Sequence, residues 1–371
     1  TPEGLPEWTL ISMIEPSPHD PATAYMACTR YKLDDNTPLL FKTADYGETW
    51  TNISSNIPDQ DFTRVIREDP GRKGLLYAGT ETGVYVSFDD GGWWQRLQPD
   101  STDGPGRPLP VLPVHDLVVK DDDLVVATHG RSFWILDDLT QLQQLRLGAE
   151  DQSLHLLKPR DTYKLAPPFR LRKPAVGKNY QLGLGSGATY TESKRPTGEI
   201  ITKVIDGGEN PPSGVMVHYW LKGKPDGEVA LSILDSKGGL IKSFSSVEPK
   251  SDDDGADEPS VLLVSAQPGM NRFVWDMRYP DASKVPGDKT TADAVTGPLA
   301  PPGPYQVTIT VGDETQAQPF NIVKDPRVKT SQEDLETQFD LLLRLRDRLS
   351  ETHNSVLKIR GIKRQVDEWV K

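Results

Sequence analysis

With 371 residues, 36% of them hydrophobic and 26% charged, the chain is long enough for two or three domains with real cores. A net charge of −12 at pH 7 repels phosphate backbones and excludes nucleic-acid binding by bulk electrostatics. A single cysteine, Cys28, excludes an internal disulfide and a cysteine-based four-ligand zinc site, and no apolar run reaches the length of a bilayer span. No metal or cofactor set is expected. The 31 glycines and 32 prolines favour many short strands over helices.

The chain opens "TPEGLPEW", with neither an initiator methionine nor a signal-peptide pattern, and reads as a processed product or a piece of something longer. A repeat begins at residue 8. Its first copy is "LISMIEPS", "TAYMACT" and "LLFKTADYGETWTNI"; its second is "FTRVIRED", "GLLYAGT" and "GVYVSFDDGGWWQRL". A third copy follows as "VHDLVVK", "DLVVATH" and "SFWILDDLTQL". Three β-rich runs and a tail, recurring at about 40–50 residues, predict four-stranded antiparallel propeller blades. Cys28 falls in a second run, as a small buried residue.

Inside the repeat, Thr43, Asp45, Gly47 and Trp50 recur as Ser87, Asp89, Gly91 and Trp94. This box falls between the third and fourth strands, where the chain must turn sharply. The acids are suited to accept backbone N–H groups of their own turn, and the glycines permit a positive φ. The hydroxyls add a further bond, and the tryptophans bury a large ring between blades. That is a structural task, not a chemical one. The boxes resemble Asp-box (BNR) repeats of sialidases, some glucanases and sortilin-like receptors. "YAGTETGVYVSFDDGG" followed by "VVATHGRSFWILDDL" resembles bacterial sortilin-like propeller proteins, which are often labelled glycosyl hydrolases. The resemblance covers residues 8 to 145 and implies architecture, with almost nothing on activity. "ILDDLTQL" departs from it by lacking the glycine and the tryptophan. Three blades do not close a ring, which takes about four to eight, so the rest are expected upstream or in another chain.

The loops between second and third strands open on the face opposite the boxes, where propellers usually bind ligands. Here they are "RYKLDDN", "ETG" and "HGR", giving Arg30, Asp34, Asp35, Glu81, His129 and Arg131 as candidate binding residues. His129 reads either as a general base or as a satisfied buried histidine. Arg131 reads as a ligand contact or as a bridge to an acid on the next blade. A glycosidase needs two facing carboxylates, and no such pair can be assigned.

After Leu145 the repeat stops. Residues 146 to 210 read as a largely irregular connector carrying the basic cluster Arg160, Arg170, Arg172 and Lys173, either an anion site or a salt-bridge network. Alternation in "EVALSIL" and "YQVTITV", with turns at "DSKGG" and "VGDET", predicts a β-sandwich over 211–328. "PGMNRFVWDMRYP" and "PPGPYQVTITV" resemble the Ig-like module of flagellar hook-assembly proteins and many exported bacterial enzymes, which implies a non-catalytic role. "EPKSDDDGADEPS" lacks a calcium-loop spacing and reads as a solvated tip. Residues 329–371 turn helical behind a Ser331–Asp334 capping box, with Leu335, Phe339, Leu342, Leu345 and Leu349 at helical spacing. Val356, Ile359, Val366 and Trp369 continue it. A helical hairpin packed on the sandwich is the reading; an oligomerising coiled coil is the sharper alternative, but the heptads are too few to favour it.

The expected whole is mainly β: three Asp-box blades over 1–145, the connector, the Ig-like sandwich and a helical segment. The function read from it is an exported, periplasmic or extracellular, non-catalytic binding or scaffold protein that contacts protein or glycan. The alternative is a glycoside hydrolase whose catalytic residues lie largely upstream. No membrane span and no nucleic-acid partner are expected.

Overall fold

The computed structural model describes every residue except 1, 3, 98–108, 146–150, 166–176, 184–185, 195–199, 205–210, 249–261, 289–290, 292–294 and 371. Arg170, Arg172, Lys173 and the acidic stretch 252–257 lie outside the described residues. The chain is mainly β and divides into two units, Thr1–Leu147 and Gly148–Lys371.

In the first unit each repeat becomes one antiparallel sheet with its strands in chain order. The first holds β1 (Leu10–Pro16), β2 (Ala24–Arg30), β3 (Asp35–Thr43) and β4 (Thr51–Asn52), with a 3-10 turn at Tyr31–Leu33. The second holds β5 (Thr63–Glu68), β6 (Leu76–Thr80), β7 (Val84–Ser87) and β8 (Gln95–Arg96). The third holds β9 (Val114–Lys120), β10 (Asp123–Thr128) and β11 (Phe133–Leu136), followed by helix α1 (Thr140–Gln144) instead of a fourth strand.

Every residue of β6 and β7 is buried, because the middle sheet is covered on both faces. Tyr25, Leu40, Ile66, Leu76 and Trp94 form one core between the first and second sheets. Val65, Tyr77, Val86, Val114, Leu117 and Leu124 form another between the second and third. Each large apolar side chain so buried contributes about 1.5–3 kcal/mol, so these cores outweigh any set of turn hydrogen bonds. Thr63, wholly buried, places its hydroxyl 3.0 Å from the Cys28 and Leu39 carbonyls and accepts the Leu39 N–H at 3.1 Å. A polar side chain thus ties two sheets where an apolar one would leave backbone groups unpaired. The outward faces of the first and third sheets differ. Met26, Cys28, Leu39 and Phe41 of the first sheet are buried with Leu5 and Trp50 packed against them, whereas Phe133 (74% exposed) and Ile135 (59%) of the third lie open. Burial pushes the Cys28 thiol up to about 12.

The second unit contains β12 (Leu154–Leu156), β13 (Thr162–Lys164), β14 (Gly177–Gly183), β15 (Ser186–Lys194) and β16 (Ile200–Val204). It continues with β17 (Val215–Leu221), β18 (Val229–Leu234), β19 (Leu240–Ser245), β20 (Gly269–Trp275), β21 (Gly303–Val311) and β22 (Glu314–Lys324), then helix α2 (Gln332–Val370). Two sheets, β12-β17-β20 and β13-β22-β21-β18-β19, share one core around Trp275, Tyr219, Val217, Leu231, Val307 and Phe320. β14, β15 and β16 form a separate sheet.

Two expectations are corrected. The described residues of 146–210 are not largely irregular: they supply β12 to β16, and two of these belong to the sandwich. β12 and β13 are three residues each, too short to show alternation, and are made strands by distant partners, Leu156 opposite Tyr219 and Thr162 opposite Ile322. Nor is the C-terminal segment a hairpin. α2 is one helix, capped by the Ser331 hydroxyl, which accepts the Asp334 N–H at 3.1 Å. Gly361, costing about 1 kcal/mol against alanine, is too weak a breaker without a proline beside it. One side of the helix is seated on the 279–286 segment. Phe339 packs edge-on to Tyr279 with ring centroids 4.8 Å apart, the Ser350 hydroxyl accepts the Ser283 N–H at 3.1 Å, and Arg346 donates to the Pro280 carbonyl at 3.1 Å.

Candidate functional site

The two boxes close their turns alike. Thr43 Oγ1 donates to Asp45 at 2.7 Å and accepts the Gly47 N–H at 2.9 Å; Ser87 Oγ does the same for Asp89 and Gly91 at 2.8 and 2.9 Å. Asp45 then accepts the Thr49 N–H, and Asp89 the Trp93 N–H, both at 2.9 Å. Gly47 and Gly91 stand at φ +89° and +90°, where a side chain is strained. Hydrogen bonds from the Thr49 hydroxyl and N–H and from Thr43 hold the Asp45 carboxyl down at about 2. All of these groups are turned onto their own backbone.

The tryptophans divide. Trp94 is buried between the first two sheets, with Nε1 donating to the Ile53 carbonyl at 2.6 Å. Trp50, half-buried, donates to its own turn at Gly47 and packs on the outward cluster of the first sheet, not between two described sheets. Ser87→Ala is expected to lower stability by about 1–3 kcal/mol, since the buried Gly91 N–H loses its acceptor. Chemical denaturation of the variant is the check, and an unchanged midpoint would show that the bond contributes nothing net.

On the opposite face the loop residues fall into two groups. Arg30 pairs with Asp35 at 2.7 Å, and Asp34 sits in a left-handed conformation at φ 60° closing the 3-10 turn. Arg131 is exposed, and its carbonyl accepts Trp134 Nε1 at 3.0 Å. Glu81 and His129 instead join residues that sequence reasoning missed. Arg64 donates to Glu81 through Nη2 at 2.6 Å and Nε at 3.1 Å. Its guanidinium carbon lies 4.7 Å from the ring centre of Phe62 and 5.3 Å from that of Tyr31. Tyr31 and Phe62 stack at 5.0 Å with planes 11° apart, and His115 and His129 stack at 5.0 Å and 16°. Phe62 is buried and Tyr31 is 38% exposed, so the pair forms a shelf with a solid floor.

These side chains meet because each second-to-third-strand loop lies beside the start of a first strand. Thr63 pairs with Thr80 next to Glu81, and the His129 N–H donates to the Pro113 carbonyl beside Val114. The signal was present in "DFTR" and "PVHD", where β5 and β9 begin, on the same face as the chosen loops.

Desolvation of its inner side, the Arg64 charge and the neighbouring His129 hold His115 below the usual imidazole value of 6.5, with Glu81 opposing them. Below that ordinary value the unfolded chain therefore binds more protons than the folded one, and stability falls with falling pH until the folded histidine also protonates. Wild-type protein is expected to lose melting temperature more steeply below pH 6.5 than His115→Asn. Parallel pH profiles would remove His115 as the cause.

A second recess, of about 270 Å³, opens where β1, β5 and β9 lie side by side and is lined by Glu15, Arg67, Glu68 and Val118 among others. Its arginine is fully engaged, by Glu15, Asp116 and the Leu117 carbonyl. Among the described residues no group of three or more metal-ligating side chains occurs, and no helix is long and apolar enough to cross a membrane.

No protein-family model and no curated protein matches the sequence. Solved structures similar in part include YCF48 bound to D1 peptide, at 13% identity and TM-score 0.23, over 58% of this chain and 51% of that one. A GH74 enzyme from Niastella koreensis is similar at 12% identity and TM-score 0.26, over 85% and 46%. A GH74 xyloglucanase from Xanthomonas campestris is similar at 11% and 0.24, over 86% and 61%. The chain thus spans about half to three fifths of the length of these structures.

Proposed function

We propose that the protein is a non-catalytic glycan-binding propeller protein whose site is the Tyr31–Phe62 shelf. The observation that carries this reading is the stack itself: a partly open tyrosine, held flat on a buried phenylalanine at a loop face, with the Arg64 guanidinium beside it. A pyranose ring can lie against such an aromatic surface while its hydroxyls bond to the polar neighbours. Glu81 is held by two bonds from Arg64 and Asp35 by Arg30, which suits a binding face better than a pair of free catalytic carboxylates.

The three sheets are read as Asp-box blades, with further blades from upstream or from a second polypeptide covering Phe133 and Ile135. The sandwich is read as an Ig-like module that spaces or anchors the binding unit. Glycan binding fits a periplasmic or extracellular setting.

Isothermal titration against a panel of neutral plant and microbial oligosaccharides and sialosides tests the reading. Wild type should bind at least one member, and Tyr31→Ala should weaken that binding about tenfold or more with an unchanged melting temperature. No binding to any member overturns it. Turnover of a glycan that is lost in Glu81→Gln replaces it with the hydrolase alternative.

A further inference from the structure

We infer that α2 pairs with α2 of a second copy as an antiparallel coiled coil, making the protein a dimer through its C-terminal helix. The helix uses only one side on its own sandwich: Phe339, Arg346, Ser350 and His353 point there. The next side over carries a heptad seam, with Leu335, Leu342, Leu349, Val356, Lys363 and Val370 at one position. Gln338, Leu345, Thr352, Ile359 and Val366 occupy the other.

The seam is open. Leu342 is 42% exposed, Leu345 57%, Ile359 66% and Val366 52%, flanked by Leu341 (49%) and Ile362 (52%). Those six expose on the order of 600 Å² per copy, so pairing would remove from them at most roughly 1,200 Å² over two copies, the lower end of stable interfaces. An apolar strip of that length is not a scatter of surface leucines.

The pattern also matches itself, in one orientation. Laid antiparallel over nearly the whole helix, Leu335 meets Val366 of the second copy, Leu342 meets Ile359, Leu345 meets Val356 and Leu349 meets Thr352. The two polar seam residues that remain, Gln338 and Lys363, then meet each other, and the flanking Leu341 meets Ile362. A parallel, in-register pair would instead set Lys363 against Lys363, a like-charge contact inside the seam. A shift by one heptad breaks the polar match. Self-complementarity of this kind is what a two-fold interface requires.

The full chain is tested by sedimentation equilibrium. Wild type should sediment at twice 41.1 kDa, and Leu345→Glu with Ile359→Glu should raise the dimer dissociation constant at least 100-fold. Near-ultraviolet circular dichroism of that variant should keep the wild-type signal, because neither residue faces the sandwich. Gln338→Cys with Lys363→Cys, a pair too far apart along one helix to bond within it, should give a covalent dimer on mild oxidation. Lys363→Cys alone should not. A monomeric wild type at micromolar concentration, or a dimer that survives the double glutamate variant, overturns the proposal. Efficient cross-linking of Lys363→Cys alone overturns the antiparallel arrangement.

Discussion

Trp94→Ala is expected to cost the first unit about 3–5 kcal/mol, the usual toll for truncating a buried tryptophan. The ring is 2% exposed and lies in the core shared by the first and second sheets, with Ile53, Ile66 and Tyr85 in the same cluster. Removing it leaves a cavity and deprives the Ile53 carbonyl of its donor. The Trp94 backbone would stay fixed, since its N–H and carbonyl are held by the Asn56 side chain at 2.8 and 2.7 Å, so the site cannot collapse easily. Trp50→Ala, at the matching box position, should cost far less because that ring is half-buried and donates only to its own turn. Urea denaturation of both variants gives the comparison. Equal losses would mean that the box position, not the burial, sets the value.

Trp275→Ala should cost the sandwich a similar 3–5 kcal/mol. Its ring is wholly buried and meets Tyr305 and Phe320 edge-on at 6.0 and 6.2 Å, contacts worth about 0.5–1.5 kcal/mol each beyond area. Its backbone is equally confined. A side chain at Gly214 would come 2.3 Å from the Trp275 carbonyl oxygen, so the facing strands have little room to close over a void. Trp275→Phe keeps the edge-on geometry and should recover more than half of the loss. Differential scanning calorimetry distinguishes the two variants, and a loss below 1 kcal/mol in the alanine form would contradict the packing described.

What was legible in the sequence was whatever depends on near neighbours. The strands of the three repeats and the turn bonds of both boxes lie within a few residues of one another, so spacing alone announces them. The Ser331 cap is local in the same way. The candidate site is not. Arg64 reaches Glu81 and His115 reaches His129 only after separate strands pair, and Tyr31 finds Phe62 across two sheets. No periodicity encodes that meeting. Choosing loops by their place in the repeat found Glu81 and His129, but not the strand-leading residues beside them. β12 and β13 were hidden for a related reason: three residues carry no pattern, and their partners come much later in the chain.

That separation has a consequence for how the polypeptide acquires its structure during synthesis. Strands β1 to β11 pair only with the strand just before or after them, so each sheet of the first unit can form as soon as its own hairpins emerge from the ribosome. The sandwich has that option only in its hairpins β18–β19 and β21–β22. β13 pairs with β22, the last strand made, and β12 with β17, so the strands made first must wait for strands made much later. Closing so long a loop before any contact rewards it slows folding. Refolding from denaturant should therefore be biphasic, with a fast phase that Trp94→Phe alters and a slow one that Trp275→Phe alters. During the slow phase the early strands remain unpaired, and at high concentration that interval is when the protein is most prone to aggregate.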